Sequence, residues 1–184
     1  MQTVHFTMCK VLTTLLVAYP TFANAAPLSF DCDVPPDHYS SVSQEASGQM
    51  TISGTIESVQ MRSGNNLPVA GARLVSADGK SSTGFQLVAD SAHAKQFNVV
   101  LNTQRGEDLQ SHTVAQVGIA GTIPFNLAVS ESGTVTLLIS GTAFNVKFMP
   151  ISSGNEMAFC STGQFKFAHL MFSTAGGAPN LTSQ

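Results

Sequence analysis

The densest acidic group of the chain lies near the start of its folded part. Its members are Asp31, Asp33, Asp37 and His38. Oxygen ligands at alternate positions can hold calcium, but a calcium ion takes about six to eight oxygens and this segment offers three carboxylates. The segment also lacks a glycine for a tight calcium loop, and Pro35 and Pro36 stiffen it into an extended form. These features favour a solvated strand end, and no metal site is predicted.

The remaining carboxylates do not form an obvious catalytic pair. Hydrolysis of a glycosidic bond needs two carboxyl groups that face each other across roughly 5 to 9 Å. Glu107 and Asp108 are adjacent, and adjacent side chains on an extended chain point apart, so a turn with a local contact to Arg105 is favoured. The other carboxylates near predicted strands are Glu57, Asp90, Glu131 and Glu156. None is paired by its spacing, and the sequence predicts no catalytic residue.

Histidines and nucleophiles give no stronger signal. His38, His93, His112 and His169 are scattered without the spacing of a zinc site. No Gly-x-Ser-x-Gly motif is present to expose a nucleophilic serine. The sequence therefore predicts no cofactor, and it names no binding residue.

The first 25 residues have the form of a bacterial-type signal peptide. Lys10 precedes a short apolar run from Val11 to Val17, and Ala23-Asn24-Ala25 fits a signal peptidase site. The prediction is a secreted or periplasmic protein with no membrane span after cleavage, because no later segment reaches the length of about 20 apolar residues that a span needs. Cys9 would be lost with the leader.

Two cysteines then remain, Cys32 and Cys160, at opposite ends of the folded part. In an oxidising compartment an even pair of cysteines most simply forms a disulfide. The prediction is therefore a Cys32–Cys160 bridge, with the first and last strands of the domain side by side.

Charge argues against one class of partner. Eight Lys and Arg stand against eleven Asp and Glu, which gives a formal net charge of −3. A nucleic-acid-binding domain usually carries a basic patch, so nucleic acid is not an expected partner.

Alternation of apolar and polar residues predicts an all-β fold. In the segment 50–56, Met50, Ile52 and Ile56 fall on one face and Thr and Ser on the other. Similar segments, separated by glycine-containing turns, recur up to residue 172, and no segment shows helical spacing. We predict one domain over residues 26–173, with about ten or eleven strands in two packed antiparallel sheets. The polar stretch 40–47 and the tail 174–184 are predicted to be disordered.

The C-terminal third resembles the closing strands of concanavalin A-like jelly rolls, the superfamily of lectins, glucanases and laminin-G-type modules. The residues that carry the resemblance are Ile123–Val129, Gly133–Leu137 and Gly163–Leu170. The resemblance implies a jelly-roll sandwich in which a late Gly-x-Phe-x-Phe strand lies beside the N-terminal strand and brings Cys160 near Cys32. The Glu-x-Asp-x-x-Glu pattern of the glucanases is absent, as are counterparts of the Arg, Gln-x-His and Tyr sets of jelly-roll polysaccharide lyases.

Three functions remain open on these grounds. The first is an exported, non-catalytic β-sandwich that binds a glycan or a cell-surface component. Its weak point is aromatic content, because the chain has no Trp and Tyr39 is the one tyrosine outside the leader. The second is a glycan-cleaving enzyme of jelly-roll fold. The third is a structural or assembly component of the cell envelope.

Overall fold

A computed structural model describes residues 27–173 and 180–184 of the chain. The predicted signal peptide, residues 1–25, lies outside the described residues. Thirteen strands are present: β1 Leu28–Asp33, β2 Tyr39–Ser47, β3 Thr51–Met61, β4 Val69–Ser76, β5 Ser81–Val88, β6 Gln96–Arg105, β7 Asp108–Gly118, β8 Thr122–Val129, β9 Thr134–Ile139, β10 Thr142–Lys147, β11 Ser153–Ser161, β12 Gly163–Phe172 and β13 Asn180–Ser183. The described part contains no helix that is long and apolar enough to cross a membrane.

The strands form two antiparallel sheets that pack face to face. The six-stranded sheet has the order β1-β12-β3-β8-β9-β10, and the seven-stranded sheet has the order β13-β2-β11-β4-β5-β6-β7. The prediction of an all-β, two-sheet antiparallel sandwich is confirmed. The alternation that predicted it is also confirmed, since Met50, Ile52 and Ile56 are all fully buried.

The polar stretch 40–47 was predicted to be disordered, and this is wrong. It lies in β2, which pairs with β11 along its whole length. Val42, Gln44 and Ala46 point towards the interior and are buried, so the period of two is present. The pattern is hidden in the sequence because Gln44 is one of the buried residues and polar residues surround all three.

The tail was predicted to be disordered over residues 174–184. Asn180–Ser183 instead forms β13, which pairs with the edge of β2. Residues 174–179 of this predicted tail lie outside the described residues. The two short or polar strands β2 and β13 account for part of the difference between the thirteen strands observed and the ten or eleven expected.

The disulfide between Cys32 and Cys160 is confirmed, with its two Cα atoms 6.1 Å apart. Cys32 lies on β1 and Cys160 on β11, so the bond joins the six-stranded sheet to the seven-stranded sheet. Both cysteines are fully buried. The first strand does lie beside the last long strand, because β1 pairs with β12 and places Cys32 opposite Phe165. Cys160 itself is on β11, the strand before it.

Phenylalanine fills much of the space between the sheets. Phe85 of the seven-stranded sheet meets Phe125 of the six-stranded sheet with ring centroids 5.1 Å apart, and Phe97 meets Phe165 at 6.2 Å. Tilted aromatic contacts of this kind add to the stabilisation from burial alone. This packing leaves the outer face of each sheet available for other roles.

Candidate functional site

A groove of about 630 Å³ runs across the outer face of the seven-stranded sheet. We call it the sheet groove. Its lining comes mainly from β4, β5, β6, β11 and the segment 65–69, and it combines uncharged polar side chains with apolar ones. The polar residues of the lining include Asn65, Asn66, Ser82, Gln86, Asn102 and Gln104.

Gly84 forms part of the floor of the sheet groove, and Gly71 lies near it on the same face of the sheet. Gly71 on β4 lies opposite Gln86 on β5, and Gly84 on β5 lies opposite Arg73 on β4. A Cβ atom at Gly71 would lie 2.2 Å from the carbonyl oxygen of Phe85, and one at Gly84 would lie 2.5 Å from the carbonyl oxygen of Ala72. Only glycine fits where β4 and β5 approach so closely. Bare backbone therefore lies beside each of the two long polar side chains.

Among the described residues, Arg73 is the one cation that lines the sheet groove. Its guanidinium carbon lies 5.8 Å from the centroid of the Phe159 ring, within the range of a cation–π contact. Within residues 27–173 and 180–184 no hydrogen bond or ion pair to this guanidinium is formed, and its Nε atom is buried without a partner. The side chain as a whole is partly exposed. Arg73 is thus held in place by the Phe159 ring, while its guanidinium N–H donors form no hydrogen bond within the described residues.

Two aromatic rings lie at one end of the sheet groove. Tyr39 and Phe159 stack with centroids 5.9 Å apart and an interplanar angle of 30°. The Tyr39 hydroxyl donates to the sulfur of Met157 at 3.2 Å. The rings join β2 to β11 and offer an apolar surface next to Arg73.

The side-chain amides of the sheet groove differ in whether they already form a hydrogen bond. The Gln104 side-chain NH₂ donates to the carbonyl oxygen of Gly106 at 3.0 Å. The side chains of Gln86 and Asn102, in contrast, have no hydrogen-bond partner within the described part of the chain, and both are partly exposed in the groove. Together with Arg73 they form a set of unused polar groups around the two glycines.

One rim of the sheet groove is built around Asp37. Its carboxylate accepts hydrogen bonds from the backbone N–H of Asn66 at 2.6 Å and from the side chain of Asn65 at 3.1 Å. These bonds lower the pKa of Asp37, with the backbone bond from Asn66 as the largest cause. The backbone N–H of Asp37 in turn donates to the Thr162 hydroxyl at 3.2 Å. Asp37, considered above for calcium, therefore fixes the segment that carries Asn65 and Asn66.

The rest of the N-terminal acidic group is divided among separate partners. Asp33 forms an ion pair with Arg62 at 2.7 Å, and Asp31 accepts from the side chain of Gln164 at 3.2 Å. Nδ1 of His38 lies 2.9 Å from the carbonyl oxygen of Pro36. Across the described residues no three His, Cys, Asp or Glu side chains lie close enough together to hold a metal ion.

The other carboxylates considered in the sequence are also apart from one another. Glu57, Asp90 and Glu131 are exposed on different elements, and Glu107 and Asp108 lie at the hairpin between β6 and β7. The four histidines considered in the sequence are exposed and lie on separate elements. None of these residues lines the sheet groove.

Glu156 differs from them because its side chain points into the sandwich and is fully buried. One carboxylate oxygen accepts from the backbone N–H of Thr51 at 2.7 Å, and the other accepts from the backbone N–H of Ser173 at 2.7 Å. The Ser173 hydroxyl also donates to this carboxylate. Burial raises the pKa of Glu156, and the hydrogen bonds only partly offset this effect. Its role is structural, since it joins the start of β3 and the end of β12 to β11.

Sequence reasoning missed Arg73, Gln86 and Asn102. One signal was available, since Gly71-Ala72-Arg73 and Gly84-Phe85-Gln86 share the form glycine, small or apolar residue, long polar residue. In antiparallel pairing such segments place each glycine opposite the polar side chain of the other strand. The pairing of β4 with β5 was needed to see this.

No protein-family model matches the chain, and no curated protein matches it. Solved structures do. The carbohydrate-binding module CBM66 from Bacillus subtilis superposes with a TM-score of 0.52 and 11% identity, over 83% of this chain and 98% of the module. An alginate lyase from Pseudomonas aeruginosa superposes with a TM-score of 0.51 and 13% identity, over 70% of this chain and 65% of the lyase. A glycosidic hydrolase reaches a TM-score of 0.50 at 7% identity, over 80% and 82% of the two chains.

The fold is a two-sheet jelly-roll sandwich similar to those of these structures. The resemblance noted for the C-terminal strands is thereby confirmed at the level of architecture. At identities of 7 to 13% the likeness concerns the fold alone. The shape and lining of the sheet groove, in contrast, follow from this chain's own residues.

The role of Asp37 in the rim gives a first testable prediction. In the variant Asp37→Gly, amide hydrogen exchange at residues 64–66 is expected to become several-fold faster, because the N–H of Asn66 loses its acceptor. Glycine is chosen because Asp37 has a φ of 65°, which glycine adopts without strain. Hydrogen exchange followed by mass spectrometry measures the change.

Asp78→Gly is the matched control for this experiment. Asp78 also anchors a turn, since it accepts from the Ser76 hydroxyl at 2.6 Å and from the backbone N–H of Lys80 at 3.0 Å. Its loss is expected to affect residues 78–80 and to leave residues 64–66 unchanged. Unchanged exchange at residues 64–66 in Asp37→Gly would show that Asp37 does not fix this rim.

Proposed function

We propose that this chain is an exported, non-catalytic β-sandwich protein that binds a glycan in the sheet groove. The observation that carries the proposal is the set of unused polar groups formed by Arg73, Gln86 and Asn102 around Gly84, with Gly71 opposite Gln86 on the neighbouring strand. Sugars are recognised chiefly through hydrogen bonds to their hydroxyl groups, together with apolar contact to a ring face. Both kinds of contact are offered here.

The apolar contact would come from the Tyr39–Phe159 stack. The absence of Trp was the weak point of this function at the level of sequence. The stacked pair lies at the end of the sheet groove, which reduces that objection. Phe159 is largely buried, with 6% of its surface exposed, so Tyr39 would provide most of the accessible ring.

The proposal of a non-catalytic role rests on the composition of the lining. Within the described part of the chain, no Asp, Glu or His lines the sheet groove. Hydrolysis of a glycosidic bond generally uses two facing carboxyl groups. The likeness to a structure described as a carbohydrate-binding module, 98% of whose length is matched, supports association with a glycan.

Export is proposed from the leader and from the disulfide. A buried Cys32–Cys160 bond is consistent with an oxidising compartment, such as the periplasm or the extracellular space. Glycans of a cell surface or of an extracellular matrix would be accessible there.

The experiment is a glycan array probed with the purified disulfide-bonded protein, with reducing and unsaturated ends measured on the same samples. Retention without release of ends is expected. In the double variant Gln86→Ala/Asn102→Ala, affinity should fall on the order of 10-fold, because two hydrogen-bonding groups are lost. Asn126→Ala is the matched control, since Asn126 is a partly exposed amide on the six-stranded sheet, which carries none of the groove lining.

Release of ends would contradict the non-catalytic role and favour a glycan-cleaving enzyme. Absence of binding to every glycan would contradict the proposed function as a whole. It would leave the role of an envelope component to be tested.

A further inference from the structure

We infer that the glycan bound in the sheet groove is acidic, and that Arg73 binds its carboxylate or sulfate group. This inference rests on the proposed function and adds the chemical class of the ligand. It is drawn from the position and surroundings of Arg73 on the seven-stranded sheet.

Within the described residues Arg73 has no ion-pair partner. On the outer face of β2, β4, β5, β6 and β11 the strand register leaves Glu45 as the one acidic side chain. Glu45 pairs with Asn155, which pairs with Val75, two residues beyond Arg73. Two strand spacings and two residues along the strand separate the Cα atoms of Arg73 and Glu45 by roughly 12 Å, and within the described residues no ion pair joins the two side chains.

The orientation of the Arg73 guanidinium is restricted by its surroundings. Contact with the Phe159 ring, together with burial of Nε, restricts the side chain, while the residue as a whole stays partly exposed. Guanidinium groups bind carboxylates and sulfates through two parallel N–H donors, and a pre-oriented group loses less entropy on binding.

The glycine opposite Arg73 leaves space next to the guanidinium for an anionic group. The residue opposite Arg73 on β5 is Gly84, and the residue opposite Gly84 on β6 is Asn102. Arg73 and Asn102 thus face the same glycine from two sides. An acidic sugar placed over Gly84 can direct its charged group to Arg73 and a hydroxyl group to the Asn102 amide.

The net charge of the protein does not itself favour an acidic ligand. With a formal net charge of −3, the protein as a whole repels a polyanion. Affinity for an acidic glycan must therefore come from a local contact and not from general attraction. Removal of one arginine from the sheet groove should then have a large effect.

The test compares acidic glycans with neutral forms of the same chain. The probes are oligosaccharides of polygalacturonate and their carboxyl-reduced counterparts, and dextran sulfate with unmodified dextran. Binding of at least one acidic probe is expected to be about 10-fold or more stronger than binding of its neutral form. The carboxylate and sulfate arms distinguish the two sources of the charge.

Arg73→Gln should lower affinity for the acidic probe about 10-fold and leave binding of neutral probes unchanged. Arg105→Gln is the matched control, because Arg105 makes a similar contact with Phe148, at 5.9 Å, outside the sheet groove. Both variants lose one positive charge.

Two outcomes would overturn the inference while the proposed function survives. One is equal affinity for acidic and neutral forms of a glycan that binds. The other is an equal loss in Arg73→Gln and Arg105→Gln, which would indicate general electrostatic attraction. If none of the probes and no neutral glycan of the array binds, the proposed function fails and the inference fails with it.

Discussion

The double variant Cys32→Ala/Cys160→Ala is expected to lose up to about 5 kcal/mol of unfolding free energy. The two cysteines are 128 residues apart in sequence, and a crosslink that closes so long a loop removes much of the entropy of the unfolded chain. It also joins the two sheets directly, since β1 and β11 belong to different layers. For a domain of this size the melting temperature should fall by about 10 to 20 °C.

Thermal unfolding followed by circular dichroism, with and without reductant, measures this loss. Reductant should lower the melting temperature of the unaltered protein towards that of the double variant and have no effect on the variant. This comparison separates the crosslink from any cavity left by the two sulfur atoms. Two free thiols in protein purified under oxidising conditions, or a melting temperature unaffected by complete reduction, would contradict the prediction.

Removal of the Glu156 carboxylate is expected to have the second largest effect on stability. In Glu156→Ala the backbone N–H groups of Thr51 and Ser173 lose their acceptor. Partly buried donors without a partner are costly, so we expect a loss of about 2 to 3 kcal/mol. Chemical denaturation at fixed pH measures it. Glu45→Ala is the matched control, because Glu45 is an exposed glutamate on the neighbouring strand β2, and its loss should change stability by less than about 0.5 kcal/mol.

The same residue gives the stability a defined dependence on pH. Because burial raises the pKa of Glu156 above its ordinary value of 4.5, the folded state binds the proton more tightly than the unfolded state. The resulting stabilisation is fully present below pH 4.5 and is lost as pH rises through the pKa of the folded state. The unaltered protein should therefore lose stability relative to Glu156→Gln as pH rises above 4.5. A constant difference between the two proteins, or one that changes in the opposite direction, would show that burial does not govern this carboxylate.

Much of the fold could be predicted from the sequence because its signals are local. The alternation of Met50, Ile52 and Ile56 reports one buried face, and glycine-containing turns separate the strands. The two cysteines outside the leader made the disulfide predictable as well. Strand β2 was missed because its buried residues include Gln44 and Ala46, which carry little apolar signal.

The candidate site was less accessible because it depends on the pairing of distant strands. Arg73, Gln86 and Asn102 are unremarkable in the sequence, and they meet only because β4 pairs with β5 and β5 with β6 in one register. A shift of one residue would turn the polar side chains inwards. In the sequence the acidic residues attracted attention instead, yet Asp37 holds a rim segment and Glu156 lies inside the sandwich.

Glycan binding in the sheet groove is tested most directly by an NMR titration of the backbone and side-chain amides. A glycan retained on the array is added to isotopically labelled protein, and shifts are mapped onto the two sheets. If the glycan binds in the sheet groove, the largest shifts occur at Arg73, Gln86 and Asn102 and in the segment 65–67. Shifts confined to the outer face of the six-stranded sheet, for example around Asn126 and Lys166, would contradict it.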